Sequence, residues 1–195
     1  MSLFDTIERL ANLQLLTLMD ISAFKNLPPV QVRALYYLFR CNHYSNTPGT
    51  VTEYLGLTKG TVSQSLRKLE EQGFLIRESD RRDKRKVKLH LSKSAHEAMS
   101  MAIRLGSITL AQQTLPDAGQ ELEHRLIQFL RIVQQHEGAR LFGVCQQCRF
   151  HQQQNGAPYC GLMQEAIPVA EITQICREYS QDERHKALPV NHLDM

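Results

Sequence analysis

The segment TPGTVTEYLGLTKGTVSQSLRKLEEQGFLIR, residues 47–77, reads as two short helices joined by a tight connection and followed by a strand. Thr47 before Pro48 is a helix start, because the hydroxyl caps free N–H groups and proline at the first helical position loses no needed donor. That helix ends near Gly56. Thr58 caps a second helix, whose Val62, Leu66 and Leu69 fall on one face at i, i+4 and i+7. Gly73 stops it.

Beyond Phe74 the period changes to two, with Val87, Leu89 and Leu91 alternating against Lys86, Lys88 and His90, as in a hairpin over residues 74–91. Its turn lies in Ser79 to Lys84, which lacks glycine and so predicts a longer loop than two residues. Two short helices and a charged hairpin are the order of a winged helix-turn-helix, in which the second helix enters the major groove of DNA. With the three apolar residues turned inward, the outward face carries Thr58, Lys59, Thr61, Ser63, Gln64, Arg67 and Lys68, short polar and basic groups suited to base edges and phosphates. Gln64 is the expected base contact. On its own this face would read equally well as the wet side of an amphipathic helix. The adjacent hairpin favours DNA, since Arg81, Arg82, Lys84, Arg85 and Lys86 crowd its loop and only Asp80 and Asp83 offset them. A wing lying along the DNA backbone relieves that repulsion.

Charge is concentrated there. Residues 77–93 hold eight Lys or Arg against three acids, +5 in a chain whose net charge is +3, so the remainder sums to −2. A basic cluster on a mildly acidic body is the footprint of a polyanion binder. The sequence shows no phosphate-binding glycine loop, no catalytic triad, and no paired carboxylates near the cysteines apart from Glu165 and Glu178, so no enzyme is expected. No apolar run approaches the roughly 20 residues of a membrane span, and the N-terminus lacks signal-peptide features, so a cytoplasmic location is expected.

Flanking segments read as helices. Residues 3–25 carry Phe4, Ile7, Leu10, Leu18 and Ile21 on one face, and Val32, Leu35, Leu38 and Phe39 mark a helix after Pro28 and Pro29 that ends over Asn42 to Asn46. Ser92 caps a long helix through Ala95, Met99, Ala102, Gly106 and Leu110 to Pro116. Another runs from about Asp117 to Gly138 with Leu122, Leu126, Phe129, Leu130 and Val133 as its apolar stripe. Helices at both ends of a central reading unit are natural dimerisation elements.

Residues 47–91 resemble the helix-turn-helix and wing of the MarR family, including its Asp-x-Arg-Asp-x-Arg run at Asp80, Arg82, Asp83 and Arg85. The likeness extends in helix order over roughly residues 5–137. It implies a mainly α fold, a winged helix-turn-helix with a β-hairpin wing and long dimerisation helices. It further implies a homodimer on a pseudo-palindromic operator in double-stranded DNA, and it allows a small-molecule effector between the dimerisation and DNA-binding parts. One departure is Leu91-Ser92 without a following glycine, where serine caps a helix as well as threonine does.

The likeness stops near residue 138. Cys145, Cys148, Cys160 and Cys176 follow as C-x2-C-x11-C-x15-C, one full set of four thiolates, with only Cys41 elsewhere. In a reducing compartment such a set reads as metal-binding before disulfide. The expected cofactor is an iron-sulfur cluster, because no second CxxC pair exists and Arg149-Phe150 replaces the glycine usual after a zinc knuckle's second cysteine. A structural zinc staple, a reversible disulfide and unliganded thiols are the alternatives. The CxxC pair would chelate from one turn, and Cys160 and Cys176 would close the site from the ends of a short helical segment. His151 reads as solvated and Cys41 as a packing residue.

The expected organisation is a DNA-binding and dimerisation domain over 1–138, a cysteine-rich extension over 139–179 and a polar tail over 180–195. The expected function is a transcription regulator whose cysteine site reports metal or redox state. A metal-stapled protein-interaction module is the competing function.

Overall fold

The computed structural model describes residues 1–79, 87–138 and 140–181, with no side-chain description for 116–118. The chain divides into two units, Met1–Gly119 and Gln120–Met195.

The first unit is helical apart from one hairpin. Helix α1 (Leu3–Met19) starts at Ser2, whose hydroxyl accepts from the Asp5 N–H while the Asp5 carboxylate accepts from the Ser2 N–H. It is shorter than the expected 3–25. After Asp20 the chain tightens into turns in which Phe24 donates to the Ile21 carbonyl and Leu27 to that of Phe24. These turns put Phe24, fully buried, edge-on against Phe74 at 5.9 Å. Burying one phenyl ring outweighs another helical turn that would leave it in water.

Helices α2 (Pro29–Arg40), α3 (Pro48–Leu55) and α4 (Lys59–Glu71) form the core with α5 (Lys93–Leu105). Val32, Leu35, Tyr37, Val51, Leu66 and Met99 are fully buried within it. Tyr37 stacks on Tyr54 at 4.4 Å and donates its hydroxyl to the Ser45 carbonyl at 3.0 Å, so the buried phenol is paired. Cys41 is the packing residue expected, 7% exposed with its thiol against the Leu38 carbonyl.

The hairpin pairs β1 (Leu75–Ser79) with β2 (Val87–Leu91), Arg77 opposite Leu89. The expected long loop lies outside the described residues. Asn46 fastens the other edge of β2: its carbonyl accepts from the Leu89 N–H at 2.8 Å, and its amide donates to the Leu89 carbonyl at 3.2 Å.

The single long helix expected from Ser92 to Pro116 is two. Ser92 does cap α5, but Gly106 takes an extended conformation (φ −68°, ψ 149°) and α6 (Ser107–Thr114) begins after it. A Cβ at Gly106 would stand 2.8 Å from the Ala102 carbonyl oxygen, so the corner needs glycine. Pro116, expected to end a helix, instead opens α7 (Pro116–His136), the N-terminal role in which a missing N–H costs nothing.

In the second unit, α7 is followed by short strands wound around the cysteines. Strand β3 (Gly143–Val144) pairs with β7 (Ile175–Cys176), and β4 (His151–Gln154), β5 (Ala157–Cys160) and β6 (Glu165–Ala166) make a three-stranded meander. Asn155 (φ 52°) and Gly156 (φ 75°) form the β4–β5 turn, the two-residue connection with positive φ at both positions that Asn-Gly favours.

Candidate functional site

The outward face of α4 is built from its first turn. Thr58 accepts from the Thr61 N–H at 3.2 Å, and the two hydroxyls lie 2.9 Å apart. This cap satisfies one of the four N–H groups that a helix start leaves open. Val62, Ser65, Leu66 and Leu69 are buried, which turns the opposite side to solvent. Thr58, Lys59, Thr61, Ser63, Gln64, Arg67 and Lys68 are all exposed there, as expected. Arg67 pairs with Glu71 at 3.5 Å, with both side chains more than 60% exposed. Such a pair contributes little to stability and is easily exchanged for a phosphate.

Helix α3 starts in the same way. Thr47 accepts from the Thr50 N–H at 3.2 Å and the hydroxyls stand 2.7 Å apart, so TPGT and TKGT are two copies of one cap. At the base of the wing, Arg77 is held by Glu70 at 2.8 Å, tying β1 to the last turn of α4. Arg81, Arg82, Lys84 and Arg85 of the wing, with Asp80, Asp83 and Lys86, lie outside the described residues.

A recess of about 290 Å³ lies between α1, α2 and α3, bordered by Gln14, Leu18, Arg33, Tyr36 and Tyr54. It is at the small end of the range for ligand pockets. Tyr54 within it has its phenol pushed above the ordinary value, chiefly by burial and then by Tyr36, with Arg40 and Arg33 opposing.

The cysteine site is assembled mainly by turns and strands; of the short helical segment expected between Cys160 and Cys176, a single 3₁₀ turn, Val169–Glu171, forms. A 3₁₀ turn, Cys145–Gln147, ends with the Cys148 N–H on the Cys145 carbonyl at 3.0 Å. Cys160 ends β5. Cys176 is brought back by β7, where it pairs with Gly143. The reason for strands is local: Gln152 to Gln154 and Ala157 to Tyr159 flank an Asn-Gly turn, and Pro158 within β5 disfavours a helix there.

Cys145 and Cys176 are buried, while Cys148 and Cys160 are half-buried. Burial pushes the Cys145 thiol up to about 12, with further upward contributions from Cys176, Cys148, Cys160 and Glu171. All three other cysteines therefore lie within electrostatic reach of Cys145. The sulfurs of Cys148, Cys160 and Cys145 face an N–H donor or a ring nitrogen: Cys148 accepts from Ser180 N–H at 3.4 Å, Cys160 from Met163 N–H at 3.5 Å, and Cys145 meets His151 Nδ1 at 3.8 Å. Donors at sulfur suit thiolates bound to a metal. Among the described residues, no group of three or more His, Cys, Asp or Glu side chains is placed so as to hold a metal ion. The four sulfurs are thus neighbours without forming a closed ion-sized set.

Sequence reading missed two features here. His151, read as solvated, lies against Cys145. The cysteine loop is also joined to α7, since Arg131 donates to the Gln147 side chain at 2.5 Å and Gln135 to that of Gln181 at 2.9 Å. Gln181 in turn forms a β-bridge with Cys148. Asn155-Gly156 was the available signal for the hairpin that places His151.

Among the described residues no helix is long and apolar enough to cross a membrane. Comparison with curated proteins returns no match. Among solved structures, S. aureus MepR in its DNA complex is 19% identical, covering 67% of this chain and 98% of that one with a TM-score of 0.52. Streptococcus pneumoniae FabT in complex with DNA is 23% identical, covering 66% and 94% with a TM-score of 0.50. At these identities the likeness establishes the fold. The MarR family profile matches residues 25–86, from the turn before α2 through the helix-turn-helix and into the wing. With the architecture just described, the fold is a winged helix-turn-helix, and its residues 25–86 are similar to the MarR family.

Proposed function

We propose that this protein is a DNA-binding transcription regulator that acts as a homodimer on a pseudo-palindromic operator. The observation that carries the reading is the α4 face, seven exposed polar or basic side chains on a helix anchored by three buried apolar ones. Both solved relatives above are DNA complexes. The expected contacts are Gln64 with Thr61 and Ser63 at base edges, and Lys59, Arg67, Lys68 and the wing arginines at phosphates.

A second copy of the chain is the partner that suits the terminal helices. Phe4 is 80% exposed on α1, and Leu122, Leu126 and Leu130 on α7 are 51%, 43% and 51% exposed. Apolar stripes of this length on separate helices are unusual on a monomer surface and are buried efficiently when two copies pair.

In the second unit, Cys145, Cys148, Cys160 and Cys176 are proposed to hold an iron-sulfur cluster. The N–H donors at sulfur support a metal-bound set of thiolates. A single zinc would need all four sulfurs about 2.3 Å from one point, whereas a cluster spreads them over two or four irons. A cluster would supply redox sensitivity. The chain's own part is to hold the four sulfurs and carry their state to α7, through Arg131 on Gln147 and Gln135 on Gln181. Zinc remains the second reading, with the tail as a staple and any effector taken up in the recess near Tyr36.

Two measurements test this. Operator affinity at fixed salt is expected to fall in Gln64→Ala and Arg82→Ala; unchanged affinity in both would refute the DNA-reading assignment. Protein purified without oxygen is expected to be brown, with iron and labile sulfide lost in Cys148→Ala. A colourless protein with one zinc per chain would replace the cluster by the staple.

A further inference from the structure

We infer that His151 belongs to the cysteine site as the residue that positions Cys145, donating its Nδ1–H to the sulfur when the thiolate is metal-bound. The inference rests on the metal-binding reading above and adds a fifth side chain to it.

Three independent placements converge on this histidine. Along the chain, the Cys148 N–H bonds the Cys145 carbonyl and the His151 N–H bonds the Cys148 carbonyl, each at 3.0 Å. Each of these hydrogen bonds closes a tight turn, which keeps Cys145, Cys148 and His151 within one compact stretch of chain. Across the hairpin, His151 is the register partner of Cys160. Directly opposed residues of an antiparallel pair project to the same face, so the imidazole and the Cys160 thiol share a face of β4–β5. At the side chain itself, Nδ1 lies 3.8 Å from the Cys145 sulfur, within reach of an N–H···S bond, and the ring is half-buried.

The direction of the bond follows from charge. A thiolate has no proton to give, so next to a metal-bound Cys145 the imidazole must be the donor. It cannot at the same time ligate through that nitrogen. Cys145 is the most buried of the four cysteines, at 5% exposed, and thus the one least able to draw a donor from water. Cys148 and Cys160 have main-chain donors from Ser180 and Met163, and His151 fills the corresponding role at Cys145 with a side chain. The histidine is therefore a positioning residue and the four cysteines remain the ligands.

The test uses full-length protein prepared without oxygen and reconstituted with ferrous iron and sulfide, or holding zinc if that is the metal wild type retains. Wild type, His151→Phe and His151→Asn are compared with Cys148→Ala for content of that metal and for the rate of its release to a chelator. His151→Phe keeps a ring and removes the donor; His151→Asn restores an N–H close to the Nδ1 position. Expected is unchanged metal content in both histidine variants, release about ten- to a hundred-fold faster in His151→Phe, the usual effect of losing an outer-shell partner, and recovery in His151→Asn. Release from His151→Phe at the wild-type rate would overturn the inference. So would loss of metal from it to the extent seen in Cys148→Ala, which would make His151 a ligand. If wild type binds neither iron nor zinc, the metal-binding reading itself fails, a result distinct from either of these.

Discussion

Replacing Asn46 tests how the β1–β2 hairpin is attached to the helical core. Asn46 is 6% exposed, and its amide donates to the Leu89 carbonyl at 3.2 Å. Leu89 turns its N–H to the Asn46 carbonyl at 2.8 Å, so its own carbonyl points the same way, off the hairpin ladder and toward the Asn46 amide. Asn46→Ala removes that donor and leaves a carbonyl inside a core where Leu89 is 1% exposed. The cost of an orphaned buried acceptor is about 1–3 kcal/mol. An offset exists, because the Asn46 Oδ1 is itself buried without a hydrogen-bond partner among the described residues, and its removal relieves a penalty. The net loss should be about 1 kcal/mol, a fall in Tm of about 4 °C for a domain of this size. Asn46→Asp should be worse, by roughly 3 kcal/mol, since it replaces the donor by a carboxylate facing the same carbonyl. Thermal unfolding read by circular dichroism gives the stabilities, and fluorescence anisotropy at fixed salt gives DNA affinity. Affinity should fall severalfold in Asn46→Ala through a loosened wing, with α4 intact. If the aspartate variant matched the alanine variant in stability at neutral pH, the amide would not be the donor that holds β2.

Other substitutions address other links. Leu66→Ala, at a fully buried position on α4, should cost about 2–5 kcal/mol in chemical denaturation and abolish DNA binding only through unfolding. Gln64→Ala should leave stability within about 0.5 kcal/mol and weaken discrimination at one base pair per half-site by about 1–3 kcal/mol, read by competition between operator variants. Leu126→Glu places a carboxylate in the exposed stripe of α7 and should shift sedimentation toward the monomer without lowering helix content. Arg131→Ala removes the contact with Gln147; metal content should stay at the wild-type level, while the difference in DNA affinity between reduced and oxidised protein shrinks.

Local chemistry made much of the fold legible. Thr47, Thr58 and Ser92 cap the helices they were expected to cap, and Val62, Leu66 and Leu69 are buried as their spacing required. What the sequence hid follows from the limits of periodicity. Met99, Ala102, Gly106 and Leu110 keep helical spacing straight through the corner at Gly106, so nothing in the apolar pattern marks the break. Ile21 likewise continues the α1 stripe, and only the burial of Phe24, a long-range fact, stops the helix at Met19. Around the cysteines the strands are two to four residues long, too short for alternation to register, although Asn155-Gly156 was a readable turn. The exposed polar face of α4 was visible because it is one helix; the position of His151 was not, because it depends on a hairpin register.

The most direct test of the central claim is the salt dependence of binding to duplex DNA from the chain's own upstream region. Each phosphate neutralised contributes a slope of about −0.9 to log K against log[salt], so wild type should bind with a steep negative slope. Lys68→Ala should reduce that slope by about one per half-site while unfolding at the wild-type temperature. Failure of the wild-type protein to retard this or any other promoter fragment at low salt would contradict the account.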